Sequence, residues 1–267
     1  MSTPQAVAAK PATAIAPFLP MLAAQAKSEF LMLARVPAFT IPTIAFPIMF
    51  FALFGLPNVH ESFGGTTVGK YMLASFGAYA VISVALFSFG VTVAAERARK
   101  MTALMRSSPL RPLAYLGGKT LATLAFALVT LIALFAFGAG VGGVRLEMGQ
   151  WFALVGVLLL GVFPFIALGF AVGLLSGGTS AVAILNLINL PMAFGSGLFI
   201  PLPMLPHLVQ QIAPYLPAYH YGQLAWNVIA AEGETPLTAV IWLAGYSVAF
   251  LLLALRAYGR EQTKEFS

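Results

Sequence analysis

Apolar stretches of about 20 residues, separated by short polar breaks, recur along almost the whole chain. The segment from Met148 to Ala231 contains no Asp, Glu, Lys or Arg. Charged residues make up 8% of the 267 residues, whereas soluble domains carry about 25%. An apolar stretch of this length crosses a bilayer as a helix because the helix satisfies its own backbone polar groups. The pattern predicts an all-α integral membrane protein and leaves no room for a soluble catalytic domain.

Six transmembrane helices are predicted, within a transmembrane domain at residues 36–260. Residues 1–17 have the composition of a disordered tail, and 18–35 are too polar to span and predict an amphipathic interfacial helix. The connection 201–236 is uncharged until Glu232 and rich in proline and aromatic residues, which predicts a re-entrant helical hairpin between spans five and six. The predicted spans cover residues 36–56, 71–95, 120–141, 151–175, 181–200 and 237–255.

The basic residues are divided unequally between the two sides that these spans define. Twelve of the fourteen Lys and Arg residues fall on one side, and only Lys70 and Arg145 fall on the other. The positive-inside rule then predicts that both termini and residues 96–112 are cytoplasmic, in the plasma membrane (the inner membrane of a bacterium). The net charge of +6 is explained by these loops and by contact with anionic lipid, so no nucleic-acid partner is predicted.

Three glycine patterns resemble nucleotide-binding motifs but lack the required context. Residues 64–70 match a phosphate loop, yet Tyr71 stands where Ser or Thr must hold Mg²⁺. The stretch 118–120 has Gly-Lys-Thr, but Leu113 stands where the first glycine belongs. The glycines within 138–143 end a membrane helix instead of joining a strand to a helix. No cofactor and no ATP site are therefore predicted on this chain.

Small and amide residues suggest how the spans pack. Gly169, Gly173 and Gly177 share one face of span four, which favours close helix packing. Asn186 and Asn189 are three residues apart on span five and are expected on the same face. Amides at membrane depth either bond neighbouring helices or line a solute pathway, and both interpretations remain open.

Titratable groups are scarce near the predicted spans. We expect no Asp, Glu, Lys or Arg at membrane depth, so His207 and His220 are the titratable groups nearest to it. With no cysteine in the chain and no carboxylate expected beside them, the two histidines make a weak metal site, and no metal is predicted. The lack of an embedded charge argues against an ion-gradient-driven secondary transporter, and the lack of a His, Glu or Asp cluster argues against a membrane-embedded enzyme.

Residues 95–120 form the most informative loop. Met101, Leu104 and Met105 lie at helical spacing among charged residues, and Pro109 ends the pattern. Such a helix has a hydrophobic stripe and a charged flank, which suits docking into a groove on a partner protein. The alternative is a solvated basic loop that anchors two spans to anionic lipid.

The chain resembles the ABC transporter type-2 permeases at two blocks of residues. In the first cytoplasmic loop of that family, a Glu and charged residues precede a Leu-rich turn, (Ser/Thr)-Pro-Leu, an aromatic residue and Gly-Lys. The matching residues here are Glu96, Arg97, Leu104, Ser108, Pro109, Leu110, Tyr115, Gly118 and Lys119. The second block comprises residues 195–201, 205–206 and 216–220. One departure is Lys100, where many members have Gly, which affects the expected shape of the loop.

The resemblance implies the membrane-spanning subunit of an ATP-driven exporter. Two permease subunits would form the pathway, and two separate ATPase subunits would carry ATP and Mg²⁺ and dock on the cytoplasmic loops. An uncharged, apolar pathway favours an amphipathic solute such as a drug, a lipid or a lipid-linked molecule. Substrate-pathway candidates are Asn186, Asn189, Ser196 and the facing aromatic residues of spans one, two and five. Candidates for coupling to the ATPase are Glu96, Arg97, Met101, Leu104, Met105, Arg106, Pro109 and Leu110.

Overall fold

A computed structural model describes residues 17–99, 110–231 and 233–264 of the chain. Almost all regular structure in this part is α-helical, apart from a two-residue antiparallel hairpin in which β1 (Ser62–Phe63) pairs with β2 (Thr66–Thr67). The helices are α1 (Phe18–Ala34), α2 (Pro37–Phe50), α3 (Val68–Ala98), α4 (Pro112–Gly140), α5 (Met148–Leu160), α6 (Phe163–Leu175), α7 (Ser180–Gly195), α8 (His207–Ile212), α9 (Pro217–Val228) and α10 (Pro236–Lys264).

Five helical segments of the described residues are long and apolar enough to cross a membrane, which makes the chain a multi-pass all-α membrane protein. The predicted fifth span falls short of this length: α7 has 16 residues and ends at Gly195, and Gly197 then turns the chain with φ +82°. Six spans are therefore not confirmed. The five segments are Pro37–Gly55, Val68–Ala98, Pro112–Gly140, Met148–Leu175 and Pro236–Gly259.

Several predicted boundaries differ from the observed helices. The second span continues to Ala98, and α4 begins at Pro112 instead of residue 120. A proline favours this early start because it lacks the N–H that a first-turn residue leaves unused. The predicted loop 96–112 is consequently shortened at both ends, and Lys119 lies inside a helix. The predicted fourth span is two helices, α5 and α6, separated at Gly161 and Val162.

The first span is irregular, as its three prolines predict. Pro37 occupies the first turn of α2, while Pro42 and Pro47 lie inside the helix. A π-helical segment, Phe51–Gly55, completes the span immediately after α2. Local π geometry of this kind re-satisfies backbone groups that an internal proline leaves without a donor.

Helix α3 is the central element of the fold, and its residues from Tyr71 to Leu86 are all buried. Helices α2, α4, α5, α6, α7 and α9 pack around it, whereas α10 packs on α6 and α9, and α1 packs mainly on α4. Short hydroxyl side chains on α3 bond three different neighbours. These bonds join Ser75 Oγ to Trp226 Nε1 at 2.8 Å, Ser83 Oγ to Asn189 Nδ2 at 2.9 Å and Ser88 Oγ to Thr123 Oγ1 at 2.8 Å.

Two of the three glycines predicted to pack span four lie where α6 crosses α3. A Cβ atom at Gly169 would come within 2.9 Å of the Leu86 carbonyl oxygen, and one at Gly173 would come within 2.9 Å of the Gly90 carbonyl oxygen. Only glycine permits so close a backbone approach. Gly177 differs, because it follows α6 and a Cβ there would meet only Ser180 Oγ, at 3.5 Å.

The connection between α7 and α10 contains two short 3₁₀ turns and the helices α8 and α9. Every residue of α9 from Pro217 to Trp226 is buried, with α3, α5 and α10 around it. A re-entrant segment needs protein or water to cover its backbone, and protein covers α9, while α8 has no buried residue. The re-entrant hairpin stays a prediction.

Candidate functional site

A buried cluster of charged side chains lies where α1, the end of α3 and the beginning of α4 meet. Lys119 Nζ is 2.8 Å from Glu29 Oε2 and 3.0 Å from Glu96 Oε1. The three side chains are 2%, 7% and 13% exposed, in the order Lys119, Glu29, Glu96. We call these three residues the ion triad. Because water reaches them so little, their mutual attraction is screened far less than that of a surface pair.

Each polar atom of the ion triad has a described partner. The third N–H of Lys119 donates to Thr92 Oγ1 at 3.0 Å, so its three donors are all used. The two remaining carboxyl oxygens accept hydrogen bonds from neighbours: Gln25 Nε2 donates to Glu29 Oε1 at 2.9 Å, and the Tyr115 hydroxyl donates to Glu96 Oε2. A buried ion cluster is tolerated only when its remaining hydrogen-bonding capacity is met in this way.

The residue next to Glu96 binds a different helix. Arg97 Nη1 donates to the carbonyl oxygens of Gly173 at 3.1 Å and Ser176 at 3.2 Å. These carbonyls belong to the last turn of α6 and the residue that caps it, where a cation also interacts favourably with the helix dipole. Glu96 therefore fastens the end of α3 to α4, whose Lys119 also binds Glu29 of α1, and Arg97 fastens it to α6.

These contacts were not expected from the sequence. No charged residue was predicted at membrane depth, and Lys119 and Glu29 are buried within the protein near one end of the helical bundle. The reason is that α4 begins earlier than predicted and places Lys119 inside the helix, and α1 turns Glu29 toward α4 instead of toward solvent. Glu29, Thr92, Tyr115 and Lys119 were missed as site residues, although the family pattern was a signal for two of them, because it includes the aromatic residue Tyr115 and the Gly118-Lys119 pair.

The remaining coupling candidates cannot be placed in the same way. Leu110 is half-buried just before α4. The others, Met101, Leu104, Met105, Arg106 and Pro109, lie outside the described residues. The ion triad and the Arg97 contacts involve the two helices, α3 and α4, that flank the segment that the sequence assigns to coupling.

The two asparagines predicted on span five have different surroundings. Asn189 is buried, and its Nδ2 donates to Ser83 on α3, whereas Asn186 is exposed and its Nδ2 donates to the Val182 carbonyl of its own helix. Ser196, the third pathway candidate, is buried at the end of α7. Among the side chains that the structure describes, the buried polar atoms without a hydrogen-bond partner are Asn189 Oδ1 and Ser196 Oγ.

The aromatic residues of spans one, two and five meet in one cluster. Phe199, which is 1% exposed, lies at its centre, 4.8 Å from the ring of Phe50, 4.9 Å from Tyr79 and 4.4 Å from Phe194 between ring centroids. Phe76 contacts the same ring at 5.4 Å. Phe194 is partly exposed, so the cluster reaches the surface of the single chain beside α7.

At the opposite end of α3, His220 has a carboxylate partner that the sequence did not predict. Its Nδ1 is 3.1 Å from Glu234 Oε2, and its Nε2 is 2.8 Å from the Pro214 carbonyl oxygen. The ring stacks on Trp242 of α10 with a centroid distance of 5.0 Å. His207 is exposed at the start of α8. In the described ranges, no three His, Cys, Asp or Glu residues come together as a metal site.

Comparison with known proteins identifies the family. The family model described as "ABC-2 family transporter protein" matches residues 63–256, and the chain belongs to this family. It is also similar to a protein of Bacillus subtilis (strain 168) named "Putative transport permease YvfS", with 26% identity over 235 residues that cover 88% of this chain and 95% of that protein. The resemblance to type-2 ABC permeases is thereby confirmed, and both motif blocks lie inside the matched range. The chain is a multi-pass transmembrane permease of an ABC transporter.

Proposed function

We propose that the chain is the membrane-spanning subunit of an ATP-driven exporter that moves an amphipathic solute out of the cell. A homodimer of this permease would form the pathway, and two copies of a separate ATPase subunit would bind ATP and Mg²⁺ and dock at the segment between α3 and α4. The single observation that best supports this is the ion triad, because it holds the end of α3 and the start of α4 in a fixed relation on either side of that segment.

The proposed mechanism divides the work between two groups of residues. Met101, Leu104 and Met105 would contact the ATPase through their hydrophobic stripe, with Arg106, Pro109 and Leu110 shaping the turn. Glu96 and Arg97 make their described contacts within the chain, so we assign them to holding the segment. ATP binding would close the ATPase pair and displace the segment, and the helices would then alternate between inward- and outward-open arrangements.

The pathway is proposed to run beside α7 and the aromatic cluster. Asn189 Oδ1 and Ser196 Oγ have no hydrogen-bond partner among the described residues, and the exposed ring of Phe194, stacked on the buried Phe199, offers apolar surface on α7. A solute that combines apolar groups with a few hydrogen-bond donors suits such a surface. The exposed Asn186 lies on the part of α7 that a second permease subunit or lipid would cover.

The buried ion triad is the one described observation that favours the alternative function, an ion-gradient-driven secondary transporter. Carriers that use an ion gradient bind the coupling ion at charged residues at membrane depth. Every oxygen of the ion triad already has a partner within the chain, however, because both carboxyl groups accept from Lys119 and from Gln25 or Tyr115. The two mechanisms differ in their energy source, so transport that persists without ATP and collapses with a protonophore would favour the carrier.

Orientation is tested by cysteine labelling, since the native chain has no cysteine. Single cysteines replace Arg99 and His60, which are both exposed and lie beyond opposite ends of α3. We expect an impermeant maleimide to label His60→Cys in intact cells and to label Arg99→Cys only after permeabilisation. Labelling of Arg99→Cys in intact cells would contradict the proposed cytoplasmic location of both termini.

Partner dependence is tested by purifying the tagged chain from membranes of its own host. We expect an ATPase with a phosphate loop to co-purify, the chain alone to hydrolyse no ATP, and the complex to accumulate a fluorescent amphiphile in inverted vesicles when ATP is supplied. Leu104→Asp should abolish both capture and uptake, because loss of a buried anchor costs about 2 kcal/mol or more, roughly thirtyfold in affinity. Leu19→Asp, at an exposed leucine of α1, is the control. Full uptake by Leu104→Asp would contradict the docking site.

A further inference from the structure

Helix α1 is joined to α4 by close packing as well as by charge. A Cβ atom at Gly118 would come within 2.5 Å of Gln25 Cγ and 3.0 Å of the Ala26 nitrogen, and one at Gly117 would come within 2.9 Å of Leu22 Cδ1. The two glycines therefore allow α1 to lie directly against the backbone of α4. This closeness brings Glu29, one turn after Gln25, to hydrogen-bond distance from Lys119 Nζ.

The other end of α1 is joined tightly to the first span. Only two residues separate Ala34, the last residue of α1, from Pro37, the first of α2. The Thr40 hydroxyl of α2 donates to the Leu33 carbonyl oxygen of α1 at 2.9 Å. Because the connection is short and hydrogen-bonded, we expect a displacement of α1 to move α2 as well. Helix α2 ends at Phe50, which belongs to the aromatic cluster.

We propose that Lys119 and Glu29 are positioning residues that make α1, the end of α3 and the start of α4 one mechanical unit. A movement of the coupling segment, which is the chain between α3 and α4 (residues 99–111), would then move the first span through α1. This inference rests on the proposed function, since the ATPase supplies the displacement. The route runs from Glu96 through Lys119 to Glu29, then along α1 and through Thr40 to α2. Helix α1 is then a transmitting element, in contrast to a surface helix held only by lipid.

The decisive variant is Glu29→Ala, and Lys27→Ala is its matched control. Glu29→Ala releases α1 but leaves Lys119 paired with Glu96, so no buried charge is left unpaired and the fold is retained. Lys27 lies two residues away on the same helix and is exposed, so its replacement removes a charged side chain of similar length without touching α4. Both substitutions introduce the same helix-favouring residue.

The motion of α1 is measured with two spin labels on the full chain. Cysteines replace Leu19 on α1, which is 72% exposed, and Arg99 beside the end of α3, which is also exposed. The labelled permease is studied in nanodiscs with its co-purified ATPase, with and without ATP and vanadate. Labelled chains are mixed with an excess of unlabelled chains, so that distances within one chain of the proposed homodimer are measured. We expect one narrow distance in both states for the parent and for Lys27→Ala, and loss of the narrow distance for Glu29→Ala.

Coupling is measured in the same complexes as fluorescent amphiphile accumulated per ATP hydrolysed. We expect this ratio to fall about tenfold in Glu29→Ala, within the usual range of a coupling free energy, while ATP hydrolysis continues. A residue needed only for folding would lower the amount of complex and leave the ratio of the folded fraction unchanged. The ratio therefore separates positioning from stability.

A steric variant tests the same contact between α1 and α4 without changing any charge. Gly118→Val places a β-branched side chain where α1 contacts α4, whereas Gly140→Val makes the same change at the far end of α4, where nothing lies within 4 Å. We expect Gly118→Val to reproduce the loss of the narrow distance and of coupling, and Gly140→Val to behave as the parent. If Glu29→Ala does not yield folded protein, Gly118→Val alone tests whether α1 transmits the movement.

The outcomes separate the inference from the proposed function. If the parent captures no ATPase and uses no ATP for uptake, the proposed function is wrong, whatever the labels report. If the parent is an ATP-driven exporter but the variants keep a narrow label distance, these residues do not hold α1 against α4, and the inference is wrong. If α1 is released and transport per ATP is unchanged, α1 does not transmit the movement and the inference is overturned.

Discussion

Two buried polar regions of this permease differ in whether their polar atoms have hydrogen-bond partners. In the ion triad, Lys119 uses all three donors and the four oxygens of Glu29 and Glu96 each have a partner. Beside α7, Asn189 Oδ1 and Ser196 Oγ are buried with no partner among the described residues. The charged region is completely paired, and the neutral region is not.

The difference follows from what each group loses when it is buried. An unpaired buried charge costs several kcal/mol, about 3–5 when one member of a pair is removed, whereas an unpaired neutral acceptor costs about 1–3. A fold can therefore leave a neutral group unsatisfied but must pair its charges. The ion triad is suited to holding three helices in one arrangement, and the Asn189 region retains capacity for a ligand.

The largest effect is expected from removing the cation of the ion triad. Lys119→Met keeps most of the volume but leaves two buried carboxyl groups with no cation between them. We expect a loss of about 3–5 kcal/mol and an apparent Tm lower by about 10 °C or more, measured by thermal unfolding in detergent. Lys27→Met, on the exposed face of α1, should leave the Tm unchanged.

A neutral triple variant shows whether charge is the cause. Adding Glu29→Gln and Glu96→Gln to Lys119→Met removes all three charges and keeps the side-chain shapes. We expect much of the lost stability to return, because a neutral cluster has no uncompensated charge to bury. A triple variant as unstable as Lys119→Met alone would mean that lost packing, and not charge, explains the first result.

A smaller effect on stability is expected on the unpaired side of the comparison. Asn189→Leu removes the bond to Ser83 Oγ, which in a membrane helix is worth about 0.6 kcal/mol on average, but it also removes an unsatisfied acceptor. We expect the Tm to change little while ATP-dependent uptake of the fluorescent amphiphile falls. Asn186→Leu, on the exposed part of α7, keeps the bond between Asn189 and Ser83 and shows what replacing the other amide of this helix does by itself. A large loss of stability in Asn189→Leu would assign that residue to helix packing instead.

Sequence patterns predicted the class and most elements of the fold, because apolar length and charge asymmetry are local properties. They failed where one residue decides a helix boundary. Pro112 starts α4 early and carries Lys119 into the bundle, and Gly197, at φ +82°, turns the chain just after α7, which ends before it reaches the length of a span. Contacts between distant residues were also out of reach: Glu29 and Lys119 are 90 residues apart.

The smallest effect on stability, and the most discriminating, is expected from Ser196→Ala. The Ser196 hydroxyl is fully buried and has no partner among the described residues, so its removal takes away no described bond and leaves almost the same shape. We expect a stability change within about 0.5 kcal/mol, of either sign. Ser83→Ala, which removes the partner of Asn189 Nδ2, is the matched control and should cost more. If Ser196 Oγ binds solute, Ser196→Ala should raise the KM for the amphiphile while the Tm stays constant. Equal KM values in the variant and the parent would remove Ser196 from the proposed pathway and would leave its unpaired hydroxyl without a functional explanation.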